Sequence, residues 1–223
     1  MKKFVFILSI IAAQVQNSSA QEVFNKVLPG ERRAYLSFEI DPTFAVVAGF
    51  ARGFEIEAIN RDLTVTADIT IPIFLVDFKH YRIKIGSRVP LIDSKKWNVI
   101  NRFSIKIKGT ENIIHSISAF SIEEGLLLGY FSKKWFLAGE IDYDKFFITY
   151  IEHSNWYREN VHPDAIDGWY GGTGGRIKIG LQSGYTFRNI IELAIGLGMS
   201  RTESFNEPVG LPIFMNIGVN YHL

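Results

Sequence analysis

The last eleven residues of the chain alternate strictly between two kinds of side chain. One set is apolar and consists of Ile213, Met215, Ile217, Val219, Tyr221 and Leu223. The other set is mostly small or polar and consists of Phe214, Asn216, Gly218, Asn220 and His222. Because successive side chains of a strand point to opposite faces, this period of two predicts a strand with one apolar face.

The same alternation recurs along most of the chain. The clearest case is residues 63–73, where apolar side chains alternate with threonines, Asp68 and Pro72 over about the length of one tilted membrane crossing. Similar segments, including 113–121 and 125–131 after an expected turn at 109–112, predict about 10–12 strands, although eight would also fit. Residues 135–153 form one strand, two strands or a strand followed by a helix, and the sequence leaves 142–156 open between strand and helix.

The first twenty residues have the three parts of a secretory signal peptide. Lys2 and Lys3 precede an apolar run from Phe4 to Ala13, which has only half of the roughly 20 residues that a spanning helix needs. Small residues then lead up to Ala20. We therefore expect an exported protein that is cleaved after Ala20.

Three segments follow from this pattern. Residues 1–20 are the expected signal peptide, 21–33 a periplasmic lead-in and 34–223 a single barrel domain. Removal of the signal leaves 22 Lys and Arg against 23 Asp and Glu, a balance that argues against a nucleic-acid-binding surface. The absence of cysteine excludes a lipoprotein anchor and disulfides.

Two features bear on the choice between a membrane barrel and a soluble β-sandwich. Charged residues occupy the polar positions in the middle of the strands: Asp68, Lys84, Lys106, Lys178 and Glu192. A barrel would turn these charges into its lumen and a sandwich would turn them to water, so the alternation alone does not choose between the two folds. Long connections at 154–175 and 201–212 flank a short turn at Arg188-Asn189, as the two rims of such a barrel require. The predicted fold is all-β, a transmembrane antiparallel β-barrel in the outer membrane.

The pattern resembles small outer-membrane β-barrel proteins of Gram-negative bacteria, and its Gly- and aromatic-rich style is similar to barrels of Bacteroidota. The terminal strand carries the most specific part of the resemblance, although the last residue is Leu223 where the family usually has an aromatic. The resemblance implies that outer-membrane lipid and the barrel-assembly machinery are partners of the chain. It assigns no subfamily.

Residues 135–175 hold the densest group of side chains that could carry chemistry. An enzyme resembling lipid A deacylases would need a Ser, a His and an acid, and Glu152, His153 and Ser154 supply these types. However, adjacent residues of a strand face opposite ways, so His153 could not activate Ser154 there. A metal site from His153, His162, Asp164 and Asp167 is a second reading, but its ligands lack compact spacing.

A third reading takes this region as an exposed loop with aromatic anchors or contact residues. The residues concerned are Trp156, Tyr157, Trp169 and Tyr170. We expect them to contact a partner or to anchor the loop at the membrane interface. No catalytic, cofactor-binding or metal-binding residue is assigned, and no cofactor is expected.

The inward charges also have two readings. Arg82, Lys84, Arg102, Lys106, Lys108 and Lys178 could line a small pore or pair with Asp68, Glu140 and Glu192. Because side chains fill narrow barrels, we expect pairing. The predicted function is a non-enzymatic structural or interaction role in the cell envelope, alone or as a subunit of a larger complex. The alternatives are a lipid-active enzyme using His153 and a small pore or transporter.

Overall fold

The computed structural model describes residues 27–40, 44–57, 61–73, 80–94, 96–203 and 212–223, except for the side chain of Thr173. The expected signal peptide lies outside these residues. Within them, no helix has the length and apolar character to cross a membrane.

Ten antiparallel strands close into one barrel, in which β1 pairs with β10 and every other strand pairs with its neighbours in sequence. The strands are β1 (Arg32–Ile40), β2 (Phe44–Ile56), β3 (Arg61–Pro72), β4 (Tyr81–Asp93), β5 (Trp97–Glu111), β6 (His115–Phe131), β7 (Trp135–His153), β8 (Gly168–Phe187), β9 (Ile191–Thr202) and β10 (Ile213–His222). A short helix, α1 (Asn155–Asn160), lies between β7 and β8. The predicted closed, all-β antiparallel fold is confirmed.

The barrel is apolar outside and polar inside. On β10, Ile213, Ile217 and Tyr221 are exposed, whereas the Phe214, Asn216 and Asn220 side chains are buried in the interior. The five mid-strand charges predicted to face the lumen, on β3, β4, β5, β8 and β9, are likewise buried. An exterior of isoleucine, leucine and phenylalanine around a charged interior is the polarity of a membrane-spanning barrel.

Several strand boundaries differ from the sequence prediction. Residues 113–121 and 125–131 were expected as separate strands, but they belong to one 17-residue strand, β6. The turn expected at 109–112 lies further along, because β5 continues to Glu111 and the Asn112 side chain accepts hydrogen bonds from the backbone N–H groups of Ile114 and His115. Residues 135–153 form one strand of 19 residues followed directly by α1.

The expected long loop at 154–175 is shorter than predicted. Residues 168–175 extend β8 instead, pairing Trp169 with Tyr150 and Tyr170 with Thr149 of β7. Within this segment, Gly172 and Gly174 have φ values of 62° and 119°, which fit a bulge within the strand where β7 and β8 shift register. The glycine-rich segment therefore continues the β7–β8 pairing through a bulge, and it does not form a turn.

The two ends of the barrel differ. At one end the connections are short, and the turn after β8 has positive φ at both Arg188 (50°) and Asn189 (59°), the signature of a tight hairpin. We call this the short-turn end, and the start of β1 and the C-terminal Leu223 lie there. The opposite end, which we call the long-loop end, carries α1 and the segment between β9 and β10.

Apolar side chains fill the interior near the short-turn end. Ile100, Leu127, Phe131, Phe136, Ala138 and Ala194 form one buried cluster. Val27, from the segment before β1, enters a second cluster with Tyr35, Val47 and Ala51. The backbone N–H groups of Gly30 and Gly53 bond across this entry, to the carbonyls of Gly53 and Glu31. The segment before β1 thereby packs against the base of the barrel.

Candidate functional site

Like-charged side chains face each other across β4 and β5. In this ladder of facing residues, three register pairs place two cations directly opposite each other: Arg82 with Lys108, Lys84 with Lys106 and Arg88 with Arg102. Five of these side chains are buried, and Arg102 is 11% exposed. Like charges directly opposite each other destabilise a sheet, so this ladder requires anionic partners from other strands.

Carboxylates of β1, β3, β6 and β7 supply those partners. Arg102 donates to Asp142 at 2.6 Å and lies 3.0 Å from Glu140. Lys106 lies 3.1 Å from Glu123 and 2.5 Å from Asp144. Each cation therefore bridges two carboxylates, so that one basic side chain ties two acidic positions together.

The same pattern continues around the barrel wall. Arg82 pairs with Glu39 at 3.2 Å and also donates to Thr70, while Lys84 lies 3.9 Å from Asp68. The prediction that inward charges pair is confirmed for Lys84 with Asp68 and for Arg102 with Glu140. The sequence did not predict Glu39, Glu123, Asp142 and Asp144 as partners, although Glu39 and Asp142 each lie between apolar or aromatic neighbours, a pattern that indicates an inward-facing side chain.

A second cluster lies at the long-loop end, where β7 leads into α1. Asp167 Oδ1 accepts the backbone N–H of His153 at 2.8 Å and lies 3.1 Å from His153 Nδ1, and Asp167 Oδ2 accepts from Arg158. The N–H of His153, then Arg158, lowers the pKa of the Asp167 carboxyl from 3.8 to about 2. These contacts of Asp167 with His153 and Arg158, which we call the Asp167 clip, join the end of β7 and α1 to the residue that precedes β8.

Histidines and an aromatic ring surround this clip. His115 is the register partner of His153 on β6, and burial, followed by the proximity of His153, lowers the pKa of His115. Tyr157 stacks on the His153 ring with centroids 5.3 Å apart. The metal-site reading had grouped Asp167 with His153, but the sequence did not indicate that Asp167 would also contact Arg158.

The Ser154 hydroxyl and the His153 imidazole take part in different sets of contacts. Ser154 is the N-cap of α1, where its Oγ accepts the Tyr157 N–H and donates to the Ile113 carbonyl at 2.6 Å. Its hydroxyl is therefore committed to backbone groups and does not meet the imidazole. Of the proposed metal ligands, His153 and Asp167 come together, and the described residues contain no group of three or more His, Cys, Asp or Glu that could hold a metal ion.

The four aromatic residues predicted as contacts occupy two elements. Trp156 and Tyr157 lie on α1, and Trp169 and Tyr170 lie on β8. Trp169 is 70% exposed and contacts the Tyr150 ring at 5.1 Å, whereas the Tyr170 hydroxyl donates to the Ile166 carbonyl. Because Trp169 and Tyr170 are adjacent on a strand, their side chains point to opposite faces.

Comparisons with known proteins leave the chain without a family. No protein-family model matches it, and no curated protein matches it. Among solved structures, a triple mutant of the Rh. blastica porin is similar with a TM-score of 0.23 and 7% identity, over 87% of this chain and 98% of the porin chain. A likeness at that level carries no argument about function.

Proposed function

We propose that the protein is an outer-membrane β-barrel of a Gram-negative, Bacteroidota-like cell envelope, exported with a signal peptide that is cleaved after Ala20. Its role is non-enzymatic and consists of presenting an interaction surface, alone or as a subunit of a larger complex. The apolar exterior supports residence in a membrane. The packed, ion-paired interior supports a role carried by the surface of the barrel.

The observation that carries the proposal is the unequal height of the wall. A membrane crossing needs about 9–11 tilted residues. Strands β1 and β10 have 9 and 10 residues, whereas β7 and β8 have 19 and 20. We call residues 148–171, which comprise the ends of β7 and β8 with α1 between them, the rim extension.

The rim extension continues the wall, because β7 stays paired with β6 as far as His153 and β8 pairs with β7. Pairing of β8 with β9 begins at Arg176, so within the described residues the earlier part of β8 pairs with β7 alone. Register shifts between Phe120 and Ser121 and between Phe146 and Ile148 lie where β6 and β7 enter this region. Such bulges re-aim strands, which supports a built extension of the wall in place of a frayed end.

Exposed apolar side chains provide the rim extension with a possible contact surface. Ile166 is 74% exposed, Trp169 70% and Trp156 41%. Tryptophan offers large contact area at little entropic cost and is enriched among energetically dominant interface residues. The partner that fits is an envelope protein with an apolar surface, approached from the long-loop end.

A polar pair in the outer wall supports association within the membrane plane as well. Asn101 donates to Glu124 on the exposed face, and their neighbours on that face are the exposed Phe103 and Leu126. Exposing a carboxylate to lipid is costly, and ionisable residues in a membrane commonly mark functional contacts. This pair favours a subunit role over an isolated barrel.

Matched tryptophans test the proposal. Trp169 lies on the rim extension, and Trp135, which is 45% exposed, stacks on Tyr130 at the short-turn end as an interface anchor would. Trp169→Ala should reduce partner recovery in native-membrane purification at least severalfold, while Trp135→Ala should leave it unchanged. Equal recovery of every partner with all variants folded would contradict the interaction role and leave anchoring as the explanation of these rings.

A further inference from the structure

A four-residue sequence occurs twice in the chain, at Ser94-Lys95-Lys96-Trp97 and at Ser132-Lys133-Lys134-Trp135. Each copy falls on a connection at the short-turn end, the first between β4 and β5 and the second between β6 and β7. The described residues of the first copy are Ser94, Lys96 and Trp97. Because β5 and β6 are neighbours in the sheet, two turns of one composition lie side by side at this end of the barrel.

The two copies fold in the same way. Ser94 Oγ donates to the Trp97 carbonyl at 2.6 Å and accepts the Trp97 N–H at 2.9 Å. Ser132 Oγ makes the same two bonds with Trp135, at 2.7 Å and 3.1 Å. Because each serine closes its turn on the backbone, the lysine positions between serine and tryptophan lie outside the sheet pairing, and the described lysines are exposed.

Backbone hydrogen bonds fix the order of the neighbouring turns. The Phe131 N–H donates to the Lys96 carbonyl at 2.7 Å, and the Thr186 N–H donates to the Lys134 carbonyl at 2.6 Å. The second bond joins the second copy to the end of β8, which leads into the turn that carries Arg188. Neighbouring turns are two strands apart, which corresponds to roughly 10 Å at the usual strand spacing.

These three turns, at residues 93–97, 131–135 and 187–191, present a surface of mainly one sign. Their exposed basic side chains, which we call the basic rim, are Lys96, Lys133, Lys134 and Arg188. Asp93 is the one acidic residue in the described part of the three turns. Among the described residues, no carboxylate forms an ion pair with a side chain of the basic rim. The rim therefore carries positive charge that these residues do not neutralise.

Aromatic rings indicate the level at which the basic rim lies. Trp97 and Trp135 flank Tyr130, with ring centroids 5.9 Å and 4.8 Å from it, and Lys96 Nζ lies 5.9 Å from the centre of the same ring. Trp97 is 60% exposed on the outer wall. Tryptophan and tyrosine are enriched where the apolar wall of a membrane protein meets the lipid headgroups. Cations directly beside these rings would therefore lie at headgroup level.

We propose that the basic rim binds the phosphate headgroups of anionic phospholipids in the leaflet at the short-turn end. This inference rests on the proposed membrane residence of the barrel. The lysine amines would donate to the phosphate oxygens, while Trp97 and Trp135 contact the glycerol and the start of the acyl chains. Each basic side chain near an anionic lipid surface strengthens association by about fivefold.

Brominated lipids test this site, because bromine quenches the fluorescence of a nearby tryptophan. The parent protein is the full mature chain with Trp156→Phe and Trp169→Phe, so that Trp97 and Trp135 are its remaining tryptophans. It is refolded into phosphatidylcholine vesicles that contain increasing amounts of brominated phosphatidylglycerol or of brominated phosphatidylcholine. We expect phosphatidylglycerol to associate about fivefold more strongly than phosphatidylcholine at low salt.

Two sets of variants separate the basic rim from general surface charge. Lys96→Gln combined with Lys133→Gln and Lys134→Gln removes three charges from the rim and should abolish the preference. Arg32→Gln combined with Arg52→Gln removes two exposed charges on β1 and β2, at the same end but on the opposite side of the barrel, and should retain it. Loss of the preference in both sets would attribute it to total charge and overturn the proposal.

Salt provides a measurement that requires no rim variant. The preference of the parent should fall toward one at about 0.5 M sodium chloride, where exposed charges are strongly screened. A preference that salt leaves unchanged would show that the lysines are not its cause.

Two further outcomes distinguish this site from the membrane residence on which it rests. Equal association of both lipids with a barrel of intact heat-modifiable mobility would refute the lipid site alone. Failure of the parent to insert into vesicles of either lipid would contradict membrane residence and the site together. Binding of polyglutamate to the rim without any lipid preference would assign these turns to an acidic protein partner and overturn the lipid site.

Discussion

At the scale of single residues, interior cations that each hold two carboxylates are the points where the barrel is most vulnerable. Lys106 lies close to both Glu123 and Asp144 and is 2% exposed. Its removal leaves two buried carboxylates with one partner fewer. Breaking a buried ion pair by removing one partner costs far more than the net contribution of the intact pair, because an uncompensated charge remains.

Lys106→Met should therefore destabilise the barrel by about 3–5 kcal/mol, the range for one orphaned buried charge. Urea unfolding in detergent, read by heat-modifiable gel mobility, would measure the loss. Lys133→Met is the control, because Lys133 is exposed in the turn between β6 and β7 and should leave stability nearly unchanged. A loss below about 1 kcal/mol for Lys106→Met would show that water reaches this network and screens it.

Packing against glycine gives a second residue-scale test. A Cβ at Gly184 would lie 2.4 Å from Phe136 Cε1 and 3.0 Å from the Leu193 carbonyl. Gly184→Ala should cost about 1–3 kcal/mol, the usual penalty for overpacking. Combining it with Phe136→Leu should recover part of that loss by removing the ring, whereas additive losses would locate the strain in the backbone.

At the scale of elements, the Asp167 clip decides where α1 sits. The folded pKa of Asp167, about 2, lies below the value of 3.8 expected without these contacts. A lowered carboxyl pKa contributes stability that is complete above pH 3.8 and is lost as the pH falls through 2. The docking of α1 on β7 and β8 should weaken in that window alone.

Carbon-13 NMR of the aspartate carboxyl groups would test this clip. We expect Asp167 to titrate near 2 in wild-type protein, and Arg158→Met should raise that midpoint, though not to 3.8, because the His153 N–H still donates. Asp164→Asn, an exposed change in the same loop, should not move it. A wild-type midpoint near 3.8 would mean that the clip does not form in solution.

The sequence predicted these elements unevenly. The strict alternation of apolar and polar residues predicted β3, β9 and β10, because one face of each strand must be lipid-exposed and the other polar. The ends of β5 and β8 were wrong because glycine and asparagine favour turns locally, while pairing with a neighbouring strand keeps 109–111 and 168–175 extended. Asp167 was grouped with His153 as a possible metal ligand, but its contacts with the His153 N–H and with Arg158 could not be predicted, since they depend on the path of the loop between β7 and β8.

At the scale of the whole molecule, the packing of the interior distinguishes an open pore from a barrel whose lumen is filled by side chains. Of the inward basic residues, Arg82, Lys84, Arg102 and Lys106 form ion pairs with carboxylates around the wall. Toward the short-turn end, Phe131 and Phe136 stack with ring centroids 5.6 Å apart, and Leu127 and Ala138 are buried in the same cluster. We therefore expect the mature protein to show no stable conductance steps in planar bilayers, and any stable ion-selective steps in wild-type protein would favour the pore alternative.

Removing the apolar block should change that result. The double variant Phe131→Ala and Phe136→Ala deletes the two stacked rings of the cluster while keeping the ion pairs described above, so ions that enter from the long-loop end should be able to leave at the short-turn end. We expect discrete conductance steps from this variant, recorded on protein whose heat-modifiable mobility shows an intact barrel. Phe103→Ala with Phe50→Ala, which removes two exposed rings from the outer wall, should stay silent. Silence of the inner variant as well would place the barrier in the ion-paired layer, and Arg102→Met added to it would then be the change that opens the path.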